Sequence, residues 1–326
     1  MMLRGVVTVL ALVGAAAVTP VVTTAAEYPE RPLRILTPFP AGSTTDVIAR
    51  PLAAKLTEAW GQPVVVDNRA GAGGGIAAEI VAKAAPDGHT LLIGALGPNA
   101  VNPSLIRNMP YDSSRAFAPI TLTTTNNTLL TTALSVPAKS VRELIDLAKS
   151  KPGQLSYASP GIGSTPHLAG ELFKSLAGIN MVHVAYKGST QYVVDLLAAR
   201  MDVCVCAAGP LLPHIKSGRL RLLGVGAAKR DPAMPDVPTI SESGVPGFEV
   251  VGWFGLLTTA GTAAPVIKKL YTETVRILAL PDVKTAYLNG GMDTVVSNSP
   301  AEFGGYIRSE RDKWAKVIKA ANIRIE

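Results

Sequence analysis

Two stretches of this chain combine glycine, hydroxyl side chains and a following amphipathic run in a pattern suited to holding an anion. In the first, Phe39-Pro-Ala-Gly-Ser-Thr-Thr-Asp46 opens a run with Val47, Ile48, Leu52 and Leu56 at helical spacing. In the second, Ser159-Pro-Gly-Ile-Gly-Ser-Thr-Pro-His167 precedes Leu168, Leu172 and Leu176, apolar at i, i+4 and i+8. Pro166 suits the first helical position, and Ser164 or Thr165 suits the N-cap. The first N–H groups of a helix have no acceptor within it and carry a partial positive charge. Such starts bind carboxylate or phosphate without help from Lys or Arg. The candidate binding residues are therefore Phe39, Ala41, Gly42, Ser43, Thr44 and Thr45 from the first loop. The second loop supplies Ser159, Gly161, Gly163, Ser164 and Thr165, with His167 in the first turn beyond it. Asp46 would repel an anion and is read as a brace for its own loop. Serine and threonine also cap helices with no ligand involved, but two such loops far apart in sequence favour a carboxylate clamped between them.

Other chemical patterns fail. Gly71-Ala-Gly-Gly-Gly75 lies between a strand and a helix as a dinucleotide loop would, yet the G-x-G-x-x-G spacing requires glycine where Ile76 stands. No Walker-type Lys-Ser/Thr follows a glycine-rich run, and no G-x-S-x-G elbow exists. His89, His167, His183 and His214 form no close pair, and His89, His183 and His214 read as structural. Cys204 and Cys206 lie in an apolar run; held extended, they share a face but sit poorly for a bridge, so both are expected as small core residues. No metal or cofactor is expected. A rival reading is an exported hydrolase of a carboxylate ester or amide, using Ser159 or Ser164 with His167. It lacks an acid placed to orient the imidazole.

These loops need elements to position them, and the composition supplies a core large enough. Of the 326 residues, 48% are hydrophobic and only 17% charged, which rules out disorder. The formal charge of +7 is scattered without basic runs, so nucleic acid is not an expected partner. Residues 1–26 carry Arg4, the apolar stretch Gly5 to Val18 and the small run Thr23-Thr24-Ala25-Ala26, the pattern of a secretory leader cleaved after Ala26. The stretch is interrupted by Pro20 before the roughly 20 apolar residues a membrane span requires. Expected strands are Leu33–Thr37, Val64–Asp67, Thr90–Gly94, Leu155–Ala158, Val182–Ala185, Asp202–Cys206 and Leu220–Gly226. Helical patterns between and after them cover Asp46–Trp60, Gly75–Ala84, Val141–Lys149, Pro166–Leu176, Thr190–Ala199, Pro265–Leu280 and Pro300–Ala320. Pro51 should kink the first helix or cost it a hydrogen bond. The alternation implies an α/β fold with parallel sheets covered by helices. The Thr/Asn-rich run Ile120–Leu134 reads as a strand passing between lobes. The expected division is 27–124 with 227–326 as one lobe and 125–226 as the other, with ligand between.

The residues also carry a family resemblance. Glu27-Tyr-Pro-Glu-Arg-Pro-Leu-Arg-Ile-Leu-Thr-Pro-Phe-Pro-Ala-Gly42, Gly61-Gln-Pro-Val-Val-Val-Asp-Asn-Arg-Ala-Gly-Ala-Gly-Gly74 and Ala85-Pro-Asp-Gly-His-Thr90 resemble the Bug family. So do Lys151-Pro-Gly-Gln-Leu-Ser-Tyr-Ala-Ser159, Val182-His-Val-Ala-Tyr-Lys-Gly188 and Gly252-Trp-Phe-Gly255. These are exported, periplasmic solute-binding proteins of tripartite tricarboxylate transporters. The resemblance implies two lobes hinged around a cleft, no catalysis, a small carboxylate ligand and membrane permease subunits as partners of a monomeric receptor. It implies that loops 39–46 and 159–165 hold the carboxylate, partly through ordered water. It adds Gly71, Ala72, Gly97, Lys187 and Ser189 on loops expected to line the cleft. Where the family commonly has Asp-Asn, this chain has Cys206-Ala207, which adds Cys206 to the candidates and argues against an ammonium-bearing ligand. The family's Pro-Gly-Gly is replaced around Ala41-Gly42-Ser43-Thr44, which narrows the pocket and adds hydroxyls.

Overall fold

The computed structural model of the chain describes residues 28–106 and 109–320, so the expected leader, residues 1–26, lies outside the described residues. The chain begins with β1 (Leu33–Thr37), α1 (Thr44–Trp60), β2 (Val64–Asn68), a short 3₁₀ turn (Ala72–Gly74), α2 (Gly75–Ala82) and β3 (Thr90–Ala95). A wide helical turn over Gly97–Val101 runs into α3 (Asn102–Leu105). Next come β4 (Phe117–Ala133), α4 (Val141–Ser150), β5 (Ser156–Ser159), α5 (Thr165–Ala177), β6 (Val182–Ala185) and α6 (Ser189–Leu197). The chain continues through β7 (Val203–Ala207), α7 (Ala208–Lys216), β8 (Leu220–Val225) and β9 (Val251–Thr259). It closes with α8 (Ala264–Leu278), α9 (Pro281–Asn289), β10 (Asp293–Thr294) and α10 (Pro300–Ala320).

One strand organises the sheet. Main-sheet order is β2-β1-β3-β9-β4-β7-β5-β6, with β8 and β10 also on β4. The first part of β4, to Asn127, pairs antiparallel with β9. Its remainder pairs with β7 from Thr128 and with β8 from Leu129. Threonine over this run supplies β-branched stiffness, and no helical stripe competes with it, so it stays extended through 17 residues. The result is an α/β protein of two lobes that share β4. On the first-lobe side, Ile35, Leu91 and Ile93 of the sheet pack with Ile48, Leu52 and Leu56 of α1. On the other, Leu129, Cys204 and Val225 pack with Tyr192, Leu196 and Leu211 of α6 and α7.

Several expectations change. The pairs β1–β2, β1–β3, β5–β6 and β5–β7 are parallel, but β9 and β4 run antiparallel, so the sheet is mixed rather than purely parallel. Strand β9 was not anticipated, because Gly252 and Gly255 dilute its β signal. Gly255 is required by packing: a Cβ there would fall inside 3.0 Å of the Phe303 ring on α10. Helix α1 runs through Pro51 without a break, losing only the bond that the missing N–H cannot make. Cys204 and Cys206 are joined as a disulfide, against the expectation of two separate core thiols. Their Cα atoms lie 5.5 Å apart, inside the bridging range, where an extended strand would hold them roughly 6.6 Å apart. Both remain fully buried.

Truncating Ile93, 0% exposed at the centre of β3, to alanine should cost about 2–5 kcal/mol in urea unfolding. Val65→Ala, at a position 55% exposed on β2, should stay within about 0.5 kcal/mol.

Candidate functional site

The first turns of α1 and α5 open on one cavity of about 600 Å³, counted out to its mouth. From the first lobe it is lined by Phe39, Ser43 and Thr44 on the loop into α1, by Ala95 at the end of β3 with Gly97 and Pro98 beyond it, and by Gly252 and Phe254 of β9. Thr165 and Pro166 with Pro160 face them from the second lobe, together with Ser189 and Tyr192 of α6 and Ala207. Asn126 and Thr128 of β4 form the floor between the lobes. No Asp, Glu, Lys, Arg or His is in this lining. The polar groups are hydroxyls, one amide and the N–H groups of helix starts.

The two loops hold their shape by different means. Ser43 is the N-cap residue of α1, but Asp46 does the bracing: it accepts from Gly42 N–H at 2.9 Å, Asn68 Nδ2 at 2.9 Å and Arg50 Nε at 2.8 Å. Burial alone would raise the Asp46 pKa; Arg50 and the two hydrogen bonds outweigh it and hold the carboxylate ionised below its usual range. In the second loop Ser164 caps α5, accepting from His167 N–H at 3.4 Å and donating to Gly161 O at 2.6 Å. Gly163 N–H donates to His167 Nδ1 at 3.2 Å. The amides of Gly42 and Gly163 are thus committed within their loops, whereas those of Thr44, Thr45 and Thr165 sit in first turns with no helical acceptor.

Of the residues expected from sequence, Phe39, Ser43, Thr44, Gly97, Thr165 and Ser189 line this cavity. The others do not. Thr45, Ser159, Gly163, Ser164, His167 and Cys206 are buried behind the wall, where they support it. Gly161 is half-buried in the loop turn, its carbonyl capping Ser164. Ala41, Gly42, Gly71, Ala72 and Lys187 are exposed outside the lining, and Lys187 N–H bonds Gln191 Oε1 at 3.2 Å. Sequence reasoning missed Asn126, Thr128, Tyr192, Ala207, Gly252 and Phe254. The available signal was the hydroxyl- and amide-rich stretch of β4, too polar for a strand buried on both faces unless it borders a cavity.

Behind the second loop lies a compact polar cluster. His183 Nε2 meets Ser159 Oγ at 2.7 Å, and its ring stacks on Tyr157 with centroids 4.8 Å apart. The His167 and His183 rings are 4.5 Å apart. Tyr157 OH and Lys174 Nζ both donate to Glu171 Oε1. Burial, reinforced by His167, pulls the His183 imidazole down to about 4, and burial lowers His167 as well. Ser164 Oγ touches the backbone of His167 rather than its ring, so the Ser164–His167 couple that the rival hydrolase reading required is not formed.

The profile of the "Tripartite tricarboxylate transporter family receptor" matches residues 48–323. The chain belongs to this family. Relatives agree along nearly the whole length. "Protein BugT" of Bordetella pertussis is 36% identical over 300 residues, 92% of this chain and 92% of its own. Among solved structures, R. palustris Rpa4515 with adipate superposes with a TM-score of 0.87 at 36% identity, covering 91% of this chain and 99% of that one. MatC (Rpa3494) from Rhodopseudomonas palustris with bound malate gives 0.84 at 31% identity, covering 89% and 100%. The family is described as a receptor, and the two neighbours hold adipate and malate.

The histidine pair fixes a pH dependence. An unfolded imidazole takes a proton near pH 6.5, whereas the folded His183 resists until about 4, so the unfolded state binds more protons in that window. The His183 contribution is therefore complete above pH 6.5 and is lost as pH falls toward 4. Melting temperature measured across this range should fall more steeply for the native protein than for His183→Phe, which retains a ring against Tyr157.

Proposed function

We propose that the protein is a periplasmic solute-binding protein that closes its two lobes over a small organic carboxylate and presents it to the permease subunits of a tripartite tricarboxylate-type transporter. The observation that carries this is the meeting of two helix starts, α1 and α5, on one cavity whose lining has no charged side chain. Oriented N–H groups in such a place favour negative charge and cost no desolvated cation. Adipate and malate, bound to the two neighbours, define the ligand class by analogy. Ala207 in the lining leaves no carboxylate there to pair with an ammonium group, which sets the ligand apart from amino acids. An affinity in the micromolar range, about −8 kcal/mol, is within reach of such a site.

On this reading residues 27–124 and 227–326 form one lobe and 125–226 the other, with β4 and the chain leaving β8 as the crossings. Residues 1–26 direct export, and the mature receptor acts as a monomer without catalysis. The hydrolase alternative is disfavoured because Ser164 Oγ donates to Gly161 O, Ser159 Oγ meets His183 rather than His167, and both serines are fully buried outside the cavity lining.

Calorimetric titration with adipate, malate and glutamate tests the proposal: a dicarboxylate should bind and glutamate should not. Thr44 is the first helical residue of α1, and Ser43 before it has φ −75 and ψ 167, so proline is tolerated at 44. Thr44→Val, which loses the hydroxyl, should weaken binding about tenfold, the equivalent of ~1.4 kcal/mol. Thr44→Pro, which also loses the N–H, should weaken it further. Unchanged affinity in both variants would remove the α1 start from the site.

A further inference from the structure

Away from the cavity lining, the two lobes meet where neither carries a Cβ. Gly209 lies in the first turn of α7, and a Cβ built on it would fall inside 3.0 Å of the carbonyl oxygen of Gly290, between α9 and β10. The three atoms nearest that Cβ all belong to Gly290. From the other side, a Cβ on Gly291 would lie 2.8 Å from Gly209 N. At a second contact one side alone lacks a Cβ. Gly188, the N-cap residue of α6, would place a Cβ 2.8 Å from Pro40 Cγ and 2.9 Å from Pro40 Cδ, on the loop after β1.

Neither glycine is demanded by its own backbone. Gly188 has φ 175, extended geometry open to any residue, and Gly209 is helical, where alanine is the better former. Within their own lobe neither Cβ meets anything closer than these cross-lobe atoms. The absent side chains therefore serve the approach of one lobe to the other. Backbone and a proline ring, unlike the end of a flexible side chain, cannot step aside by a rotamer change.

We infer that Gly188 and Gly209, together with Gly73 against Ile162 O and Gly97 against Gly163 O, set the distance of closest approach between the lobes, so that a single methyl at 188 or 209 holds the cleft ajar. The inference rests on lobe closure as the capture step proposed above. A ligand that requires the closed state binds with an apparent affinity reduced by the fraction of molecules able to reach it. A wedge at either glycine lowers that fraction while leaving the binding groups in place.

The test pairs two readouts on Gly188→Ala and Gly209→Ala. Spin labels on Ala54→Cys of α1 and Lys149→Cys of α4, both exposed, report the inter-lobe distance by electron–electron resonance; the native cysteines are bridged and buried. Titration with adipate and malate reports affinity. Each variant should show a longer inter-label distance, at least a tenfold loss of affinity for whichever acid binds the native protein, and a melting temperature equal to or above native. Gly305→Ala, on α10 with only an ordinary 3.8 Å contact, should leave the distance and the affinity unchanged and hold or raise the melting temperature. A native inter-label distance in both alanine variants would overturn the inference, as would lowered melting temperature with the distance unchanged. If the native protein binds neither acid, the proposed ligand class fails, and the distance measurement still decides the role of the glycines.

Discussion

Two helix starts pointing into one enclosed gap cannot satisfy their own first N–H groups, and the rest of the cleft answers that constraint. Helices α1 and α5 each begin at the carboxyl end of a strand, one in each lobe, and each begins with a serine N-cap residue. A solvent-filled gap would hydrate those amides; a closed one must supply an anion or ordered water. The lining offers no carboxylate to take that place and no cation to compete for it. Around the gap, polar atoms that would complicate the charge balance are paired off behind the wall: Asp46 with Gly42, Asn68 and Arg50, and Glu171 with Tyr157 and Lys174.

This division of labour ties each loop down with hydrogen bonds of its own, without a ligand to shape it. A loop that ordered only on binding would charge its conformational entropy against affinity. Here the first loop is braced by a carboxylate and the second by an imidazole, and the latter must be neutral to accept from Gly163 N–H. Each loop is tied to its own side of the sheet, and β4 is shared between the two.

Much of this was legible from residues alone, for reasons that can be named. Ser164 before Thr165-Pro166 is a local capping signal, and α5 starts there. Strands such as Leu33–Thr37 and Val182–Ala185 matched their expected bounds because turn residues border them. The Thr-rich run was recognisable as a strand between lobes. What escaped notice depends on tertiary contact. Gly255 dilutes the signal of β9 because the space for its side chain holds the Phe303 ring. Asn126 and Thr128 reach the cavity only because β4 crosses beneath it. The capture of Gly42 and Gly163 amides by Asp46 and His167 follows from loop geometry, which spacing does not encode. The bridge between Cys204 and Cys206 required a local contraction of β7 that no periodicity reveals.

The most direct test of the central claim is a crystal structure grown with a bound dicarboxylate such as adipate. The account predicts one carboxylate between the first turns of α1 and α5, its oxygens about 2.7–3.2 Å from the N–H or hydroxyl of Thr44 or Thr165, or one ordered water removed from them. A carboxylate held instead by a lysine or arginine, or lodged outside the space between these two helix starts, would contradict it.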